Sequence, residues 1–325
     1  MHTNLWFWIA FNCSVLCVLA IDLFGFQRRA HAPTTKEAAI CTAVWVALSL
    51  GFNTLIWYWE GHAKALEFLT GYLVEYSLSV DNIFVFVLVF SYFAVPAAYQ
   101  HRVLFWGIFS ALILRGVMIG LGVAFVEAFH WALYLFGVFL LFTGIKMFLG
   151  RKKVADIARN PLIRLVRRLL LVTDTYHGAS FTVAREGRRL LTPLTLVLIM
   201  IEITDILFAL DSIPATFGIT HDPFIVYTSN VCAILGLRSL YFLLAGVVDK
   251  FFYLKPALAI ILSFIGAKML LADVYHISTA VSLSIVSLVL LAAIVLSLLV
   301  NRQHPVTEEP IRETDHHSPP VTNLR

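Results

Sequence analysis

The chain has 325 residues, 60% of them hydrophobic and only 14% charged, with a formal net charge of +4. Its mean hydropathy of +0.85 excludes a soluble globular protein, in which about half the residues are apolar and about a quarter charged. The expected surroundings are a lipid bilayer, and no nucleic-acid partner is expected.

A bilayer crossing takes roughly 20 apolar residues in helical form. Nine windows qualify, at 4–24, 38–58, 66–93, 103–126, 131–149, 192–217, 224–247, 256–273 and 277–300. The predicted fold class is therefore all-α, a polytopic membrane protein of about nine transmembrane helices. The first window lacks a preceding Lys or Arg and a small-residue cleavage site, so it reads as a span rather than a signal peptide. Its Cys13 and Cys17 share a helix face, and the four cysteines form no Cys-x-x-Cys, so apolar filling outweighs a redox or metal role.

The third window carries Glu75-Tyr-Ser-Leu-Ser-Val-Asp81-Asn82-Ile83, and the fourth carries Arg115. Between the fifth and sixth windows lies a loop, 150–190, with ten basic residues and three acidic ones (Asp156, Asp174, Glu186). It is either a topological anchor with an amphipathic surface helix around 163–171 or a regulatory element at the anionic inner leaflet. The sixth window holds Glu202 and then Asp205-Ile-Leu-Phe-Ala-Leu-Asp211-Ser212-Ile213, and the seventh holds Arg238. Lys146 and Lys268 lie near span ends, where long side chains snorkel to the interface. The segment 301–325, with four prolines, is predicted to be a disordered tail.

Basic residues accumulate on the cytoplasmic side of a membrane. With the N-terminus outside, nineteen of the 24 Lys and Arg fall in cytoplasmic segments, and only Lys64 falls outside. The predicted topology has a periplasmic N-terminus and a cytoplasmic C-terminus in the bacterial inner membrane.

The two halves match at three places in the same order. Glu75 to Ile83 matches Asp205 to Ile213, Arg115 matches Arg238, and Phe142-Thr-Gly-Ile-Lys-Met-Phe-Leu149 matches Phe264-Ile-Gly-Ala-Lys-Met-Leu-Leu271. Spans 3–5 (about 66–149) are thus repeated as spans 6–8 (about 192–273). Three spans per unit is an odd number, so the second copy is inverted, as in secondary transporters whose sites lie near the midplane. Residues 1–300 are then one transmembrane transport domain.

A carboxylate in hydrocarbon costs a few kcal/mol at least, and clusters of them mark ion or proton paths. On a regular helix Glu75, Ser79 and Asn82 share one face, and Glu202, Asp205 and Ser212 share another. Asp81 and Asp211 point elsewhere, so each helix is expected to unwind, with Pro214 removing a backbone donor after Asp211. Such breaks would bring Glu75, Asp81, Asp205 and Asp211 together. Arg115 and Arg238 are the candidates for charge pairing, either as part of the site or as buried structural salt bridges. Five acids against two arginines leave three negative charges, which a divalent cation and a proton would cancel. Carboxylate, amide and hydroxyl donors suit Mn, Mg or Ca. Mn²⁺ lacks the reluctance to dehydrate that Mg²⁺ shows.

These motifs resemble the TerC family of integral membrane proteins, and most nearly its bacterial Alx branch. The match is carried by the stretch from Phe68 through Glu75, Asp81 and Asn82, by Glu202 through Asp205, Asp211, Ser212 and Pro214, and by Asn230 through Arg238. The resemblance implies a membrane transporter fold and manganese export, with Glu75, Asp81, Glu202, Asp205 and Asp211 as presumed metal ligands. The expected metal set, with the neighbouring side chains, is Glu75, Asp81, Asn82, Glu202, Asp205, Asp211 and Ser212. The chain departs from Alx-like sequences at Tyr76, where a Lys often stands. No resident cofactor and no enzymatic activity are expected, and the oligomeric state is left open. The rival expectation is a non-transporting membrane-bound redox or stress modulator.

Overall fold

The computed structural model describes residues 5–21, 34–129, 131–149, 173, 175–176, 178–185, 188–245, 253–275 and 277–303, without the side chains of Ile21, Asp81, Phe84, Arg185, Arg188, Arg189 and residues 301–303. In chain order the elements are α1 (Leu5–Ile21), α2 (Thr35–Glu60), α3 (His62–Tyr92), α4 (Ala97–Ala128), α5 (Ala132–Leu149), β1 (Thr182–Arg185) and β2 (Arg188–Leu191). They continue as α6 (Pro193–Phe217), α7 (Pro223–Leu235), α8 (Leu237–Leu244), α9 (Leu254–Leu270) and α10 (Thr279–Gln303). Each of the nine apolar windows overlaps these helices, and among the described residues seven spans are long and apolar enough to cross a membrane. The α1 and α9 helices are shorter, at 17 residues each.

Local chemistry sets the helix ends. Thr34 and Glu37 form a reciprocal capping box at the start of α2, with the Thr34 amide donating to Glu37 Oε2 at 2.8 Å. Gly61 links α2 to α3 at φ +91°, a conformation that glycine adopts without steric cost. Asp222 caps α7 by accepting from the amides of Phe224 and Ile225, and Pro223 follows at the first helical position. The seventh window is broken at Gly236, between α7 and α8.

The most enclosed span is α7–α8, 89% buried over its apolar window, with α3 next at 62%. These two pack on each other, with α6 on α3 and α4 on both α6 and α7, while α1, α2 and α10 lie further out. Large apolar side chains of α2, α5 and α10 remain exposed, including Trp57, Phe142 and Leu288. Such faces suit lipid contact.

The α5 and α9 helices, which carry the matched Phe142 and Phe264 motifs, pack directly against each other. Their glycines permit the approach. A Cβ on Gly266 would lie 2.6 Å from the Leu141 amide nitrogen and 2.7 Å from the Gly137 carbonyl, and one on Gly144 would lie 2.8 Å from the Ala259 carbonyl. As residue numbers rise along α5 from 137 to 144, the partners on α9 fall from 270 to 259, so the two run antiparallel. Because the opposing atoms are backbone, Gly266→Ala is expected to cost about 1–3 kcal/mol by overpacking. A thermal unfolding midpoint for that variant equal to wild type would show that the helices part freely.

One expectation is corrected here. Neither α3 nor α6 is broken at its aspartate: both helices run through residues 81 and 211, with Pro214 accommodated inside α6. Pro214 lies within the last turn, where the chain is about to leave the helix, and the Thr216 hydroxyl bonds back to the Ser212 carbonyl at 3.0 Å. The architecture is that of an all-α polytopic membrane protein with one short addition. An antiparallel hairpin, β1–β2, with Arg185 paired to Arg188, occupies the end of the basic loop. Tyr176 donates to the Phe93 carbonyl at 2.6 Å and Arg102 lies over the Phe181 ring at 5.4 Å, fastening this segment to the helix ends. The amphipathic helix expected around 163–171 and the disordered tail lie outside the described residues, although α10 extends to Gln303.

Candidate ion site

Arg115 of α4 is 1% exposed and reaches into the middle of the bundle. Its Nε donates to Asp205 Oδ2 at 3.1 Å and its Nη2 to Asp205 Oδ1 at 2.8 Å. Its Nη1 donates to Glu75 Oε1 on α3. The same nitrogen lies 3.4 Å from Ser212 Oγ on α6 and 3.3 Å from Asn230 Oδ1 on α7. One guanidinium therefore joins four helices. Its planar fork allows the bidentate grip on Asp205, which an ammonium could not make. Glu75 and Asp205 occupy corresponding positions in the two similar segments, so the arginine ties like to like.

Pairing leaves the group unsatisfied. One cation against two carboxylates gives a formal charge of −1 in a buried setting. Glu75 Oε2, Ser79 Oγ and Asn82 Oδ1 are all buried without a hydrogen-bond partner, as are Glu202 Oε2 and the Asn230 amide nitrogen. Orphaned buried polar atoms are rare and each calls for an explanation such as a bound ion. The first three lie in a line on one face of α3.

Glu202 and Asp211 do not join this cluster. Glu202 lies one turn before Asp205 and turns toward α4, where the Ser110 hydroxyl donates to its Oε1. Asp211 is half-buried and bonded by Thr143 of α5. Glu202 and Asp211, nine residues apart on α6, are separated by about 13 Å along the axis and face opposite sides. The expected convergence of Asp211 with Glu75 and Asp205 is thus absent, because the helix stays regular and α5 supplies a partner for Asp211 instead. The side chain of Asp81 lies outside the described residues. Arg238 is buried on α8. Among the described residues, no three His, Cys, Asp or Glu side chains gather as a metal-holding group. Amide and hydroxyl oxygens would have to complete any such shell.

Sequence reasoning missed Ser110 and Asn230. The signal for Asn230 was the polar run Thr228-Ser229-Asn230 inside an apolar span. Ser110 offered none. Tyr76, the departure from the Alx pattern, packs among apolar neighbours with its ring 5.6 Å from that of Tyr72.

At the end of the bundle away from the hairpin, a cavity of about 830 Å³ is lined by Lys64, Glu67, Tyr134, His221, Asp222 and Lys268, among others. Lys64 bridges Glu67 at 2.8 Å and Asp222 at 3.3 Å, and Thr220 donates to Glu67 at 2.5 Å. Phe217, at the end of α6, forms part of its wall.

A polytopic helical bundle with charged groups sealed in its core defines an integral membrane protein with a polar intramembrane centre. The sequence matches the family described as integral membrane protein TerC family over residues 60–305, and the chain belongs to that family. It is 51% identical over 306 residues to a protein of Escherichia coli (strain K12) that carries the provisional name membrane-bound redox modulator Alx, covering 91% of this chain and 95% of that one. It is also 50% identical over 301 residues to an uncharacterized membrane protein of Myxococcus xanthus, covering 93% and 94% of the two chains. A third relative, an uncharacterized membrane protein of Rickettsia bellii, is 39% identical over 300 residues, covering 91% and 99%. No solved structure matches significantly.

Proposed function

We propose that the protein is a secondary transporter, not an enzyme, that exports Mn²⁺ from the cytoplasm across the bacterial inner membrane in exchange for protons. The observation that carries this reading is the buried Glu75–Arg115–Asp205 group beside the unpartnered oxygens of Glu75, Ser79 and Asn82. A negatively charged centre with spare oxygen donors suits a hard divalent cation. Asp81, Glu202, Asp211 and Ser212 complete the proposed route, with the acids staggered along α6 rather than gathered at one point. With nine spans and the basic residues on the inner side, the N-terminus is periplasmic and the C-terminus cytoplasmic, so the hairpin end is cytoplasmic and the cavity opens outward. The antiparallel, glycine-mediated contact of α5 with α9 supports an inverted repeat.

The orientation has its own test. A reporter fused after residue 170 is expected to score cytoplasmic and one inserted near Glu127 periplasmic; the reverse pattern would overturn the topology.

Selectivity against Mg²⁺ rests on dehydration, since Mg²⁺ keeps its waters more firmly than Mn²⁺. Inverted vesicles from an overexpressing strain are expected to accumulate Mn²⁺ in the presence of millimolar Mg²⁺, and uptake is expected to change when the pH gradient is collapsed. Equal competition by Mg²⁺ would defeat the selectivity. The name of the Escherichia coli relative favours a second reading, a non-transporting redox or stress modulator. Under that reading no protein-dependent flux of any divalent ion occurs.

A further inference from the structure

We propose that Asp205 is not a ligand of the transported ion but a positioning residue committed to Arg115, so that the cation is coordinated from the α3 side, by Glu75 Oε2 with Ser79 and Asn82. The inference rests on the transport reading and narrows it to an unequal division of labour between matching acids.

The two carboxylates are held differently. Both oxygens of Asp205 accept from the guanidinium, through Nε at 3.1 Å and Nη2 at 2.8 Å. Glu75 gives Arg115 only Oε1 and leaves Oε2 buried without a partner. Ser79 and Asn82, one and two turns further along the same face, present two more unpartnered oxygens, while Ser212 on α6 lies against Nη1. A cation placed on Asp205 would meet the guanidinium at close range. Glu75 Oε2 instead accepts from no donor, and the same helix carries the unpartnered Ser79 and Asn82 oxygens. Asp205 then acts at a distance: by balancing Arg115 it prevents the guanidinium from claiming both oxygens of Glu75.

Rescue distinguishes this from simple charge counting. Mn²⁺ binding to the purified full-length protein is measured by titration and by the ion-dependent rise in Tm. Asp205→Asn is expected to weaken binding about tenfold, and Glu75→Gln about a hundredfold, as expected for loss of contacts to charged groups. Adding Arg115→Gln to Asp205→Asn frees Glu75 and returns affinity to within about threefold of wild type. Adding Arg115→Gln to Glu75→Gln restores the same formal charge but recovers nothing, because Asp205 stands on α6 while the unpartnered Ser79 and Asn82 oxygens stand on α3. Arg115→Met with Asp205→Leu serves as a second version of the first pair, since apolar replacement of a whole buried ion pair is often tolerated.

Equal recovery in both pairs would overturn the proposal, as would an Asp205→Asn loss as large as that of Glu75→Gln. Failure of either version of the first pair, once folded, to improve on Asp205→Asn would do the same. The transport reading fails separately: unequal rescue of binding without vesicle flux leaves the ligand assignment standing and removes the carrier. A wild-type protein that binds no Mn²⁺ removes both.

Discussion

Asp211→Asn is expected to abolish manganese tolerance in a sensitive host while leaving membrane abundance close to wild type. Asparagine keeps the size of aspartate and can still bond to Thr143, the partner of Asp211 on α5. What disappears is the negative charge, and losing a charged contact to an ion costs about 1.5–3 kcal/mol or more, roughly tenfold to a hundredfold in affinity. The position is half-buried and lies six residues beyond Asp205 along the same helix, so the effect falls on the ion route rather than on the packed core. Asp81→Asn is expected to act alike, because Asp81 holds the matching position in the first motif. Full tolerance in either variant would show that its aspartate is not an essential ligand. Loss of the protein itself would instead mark a structural role.

Arg115→Leu is expected to be the most destabilising single change in the membrane core. It strands Glu75 and Asp205 as unpaired acids among side chains with almost no exposure. Breaking a buried pair by removing one partner costs about 3–5 kcal/mol, and here a single cation serves two acids. The measurement is abundance in membranes together with Tm in detergent. Arg115→Lys should fall between wild type and Arg115→Leu, since an ammonium supplies the charge without the planar fork. Wild-type Tm and abundance for Arg115→Leu would mean that both acids are already neutral, and that the cluster holds no ion pair.

The helices were legible because lipid permits few alternatives: every backbone group must be satisfied within the span, so apolar length translates into helix. Glu75, Arg115 and Asp205 could each be singled out for the same reason. Their partnership could not, because the arginine is 40 residues from one acid and 90 from the other, and no local spacing links them. Lacking it, sequence reasoning unwound α3 and α6 to bring the acids together. The folded chain brings a cation to them instead and keeps both helices intact. The hairpin was not legible, because Glu186-Gly187, between Thr182-Val-Ala-Arg and Arg188-Arg-Leu-Leu, is not among the residue pairs that mark a two-residue hairpin turn, and positive charge dominates this loop. Ser110 was invisible because a lone serine in a membrane helix ordinarily bonds its own backbone. It does so here as well, to the Trp106 carbonyl at 2.6 Å, while also reaching Glu202.

The most direct test is ion flux through the purified protein alone. Sealed liposomes containing it, loaded with a dye quenched by Mn²⁺, are expected to show quenching on addition of external Mn²⁺. The rate should change with an imposed pH gradient and fall to the protein-free level for Asp211→Asn. Liposomes that hold correctly folded protein yet pass no divalent ion faster than empty ones would contradict the transport function and leave the membrane modulator in its place.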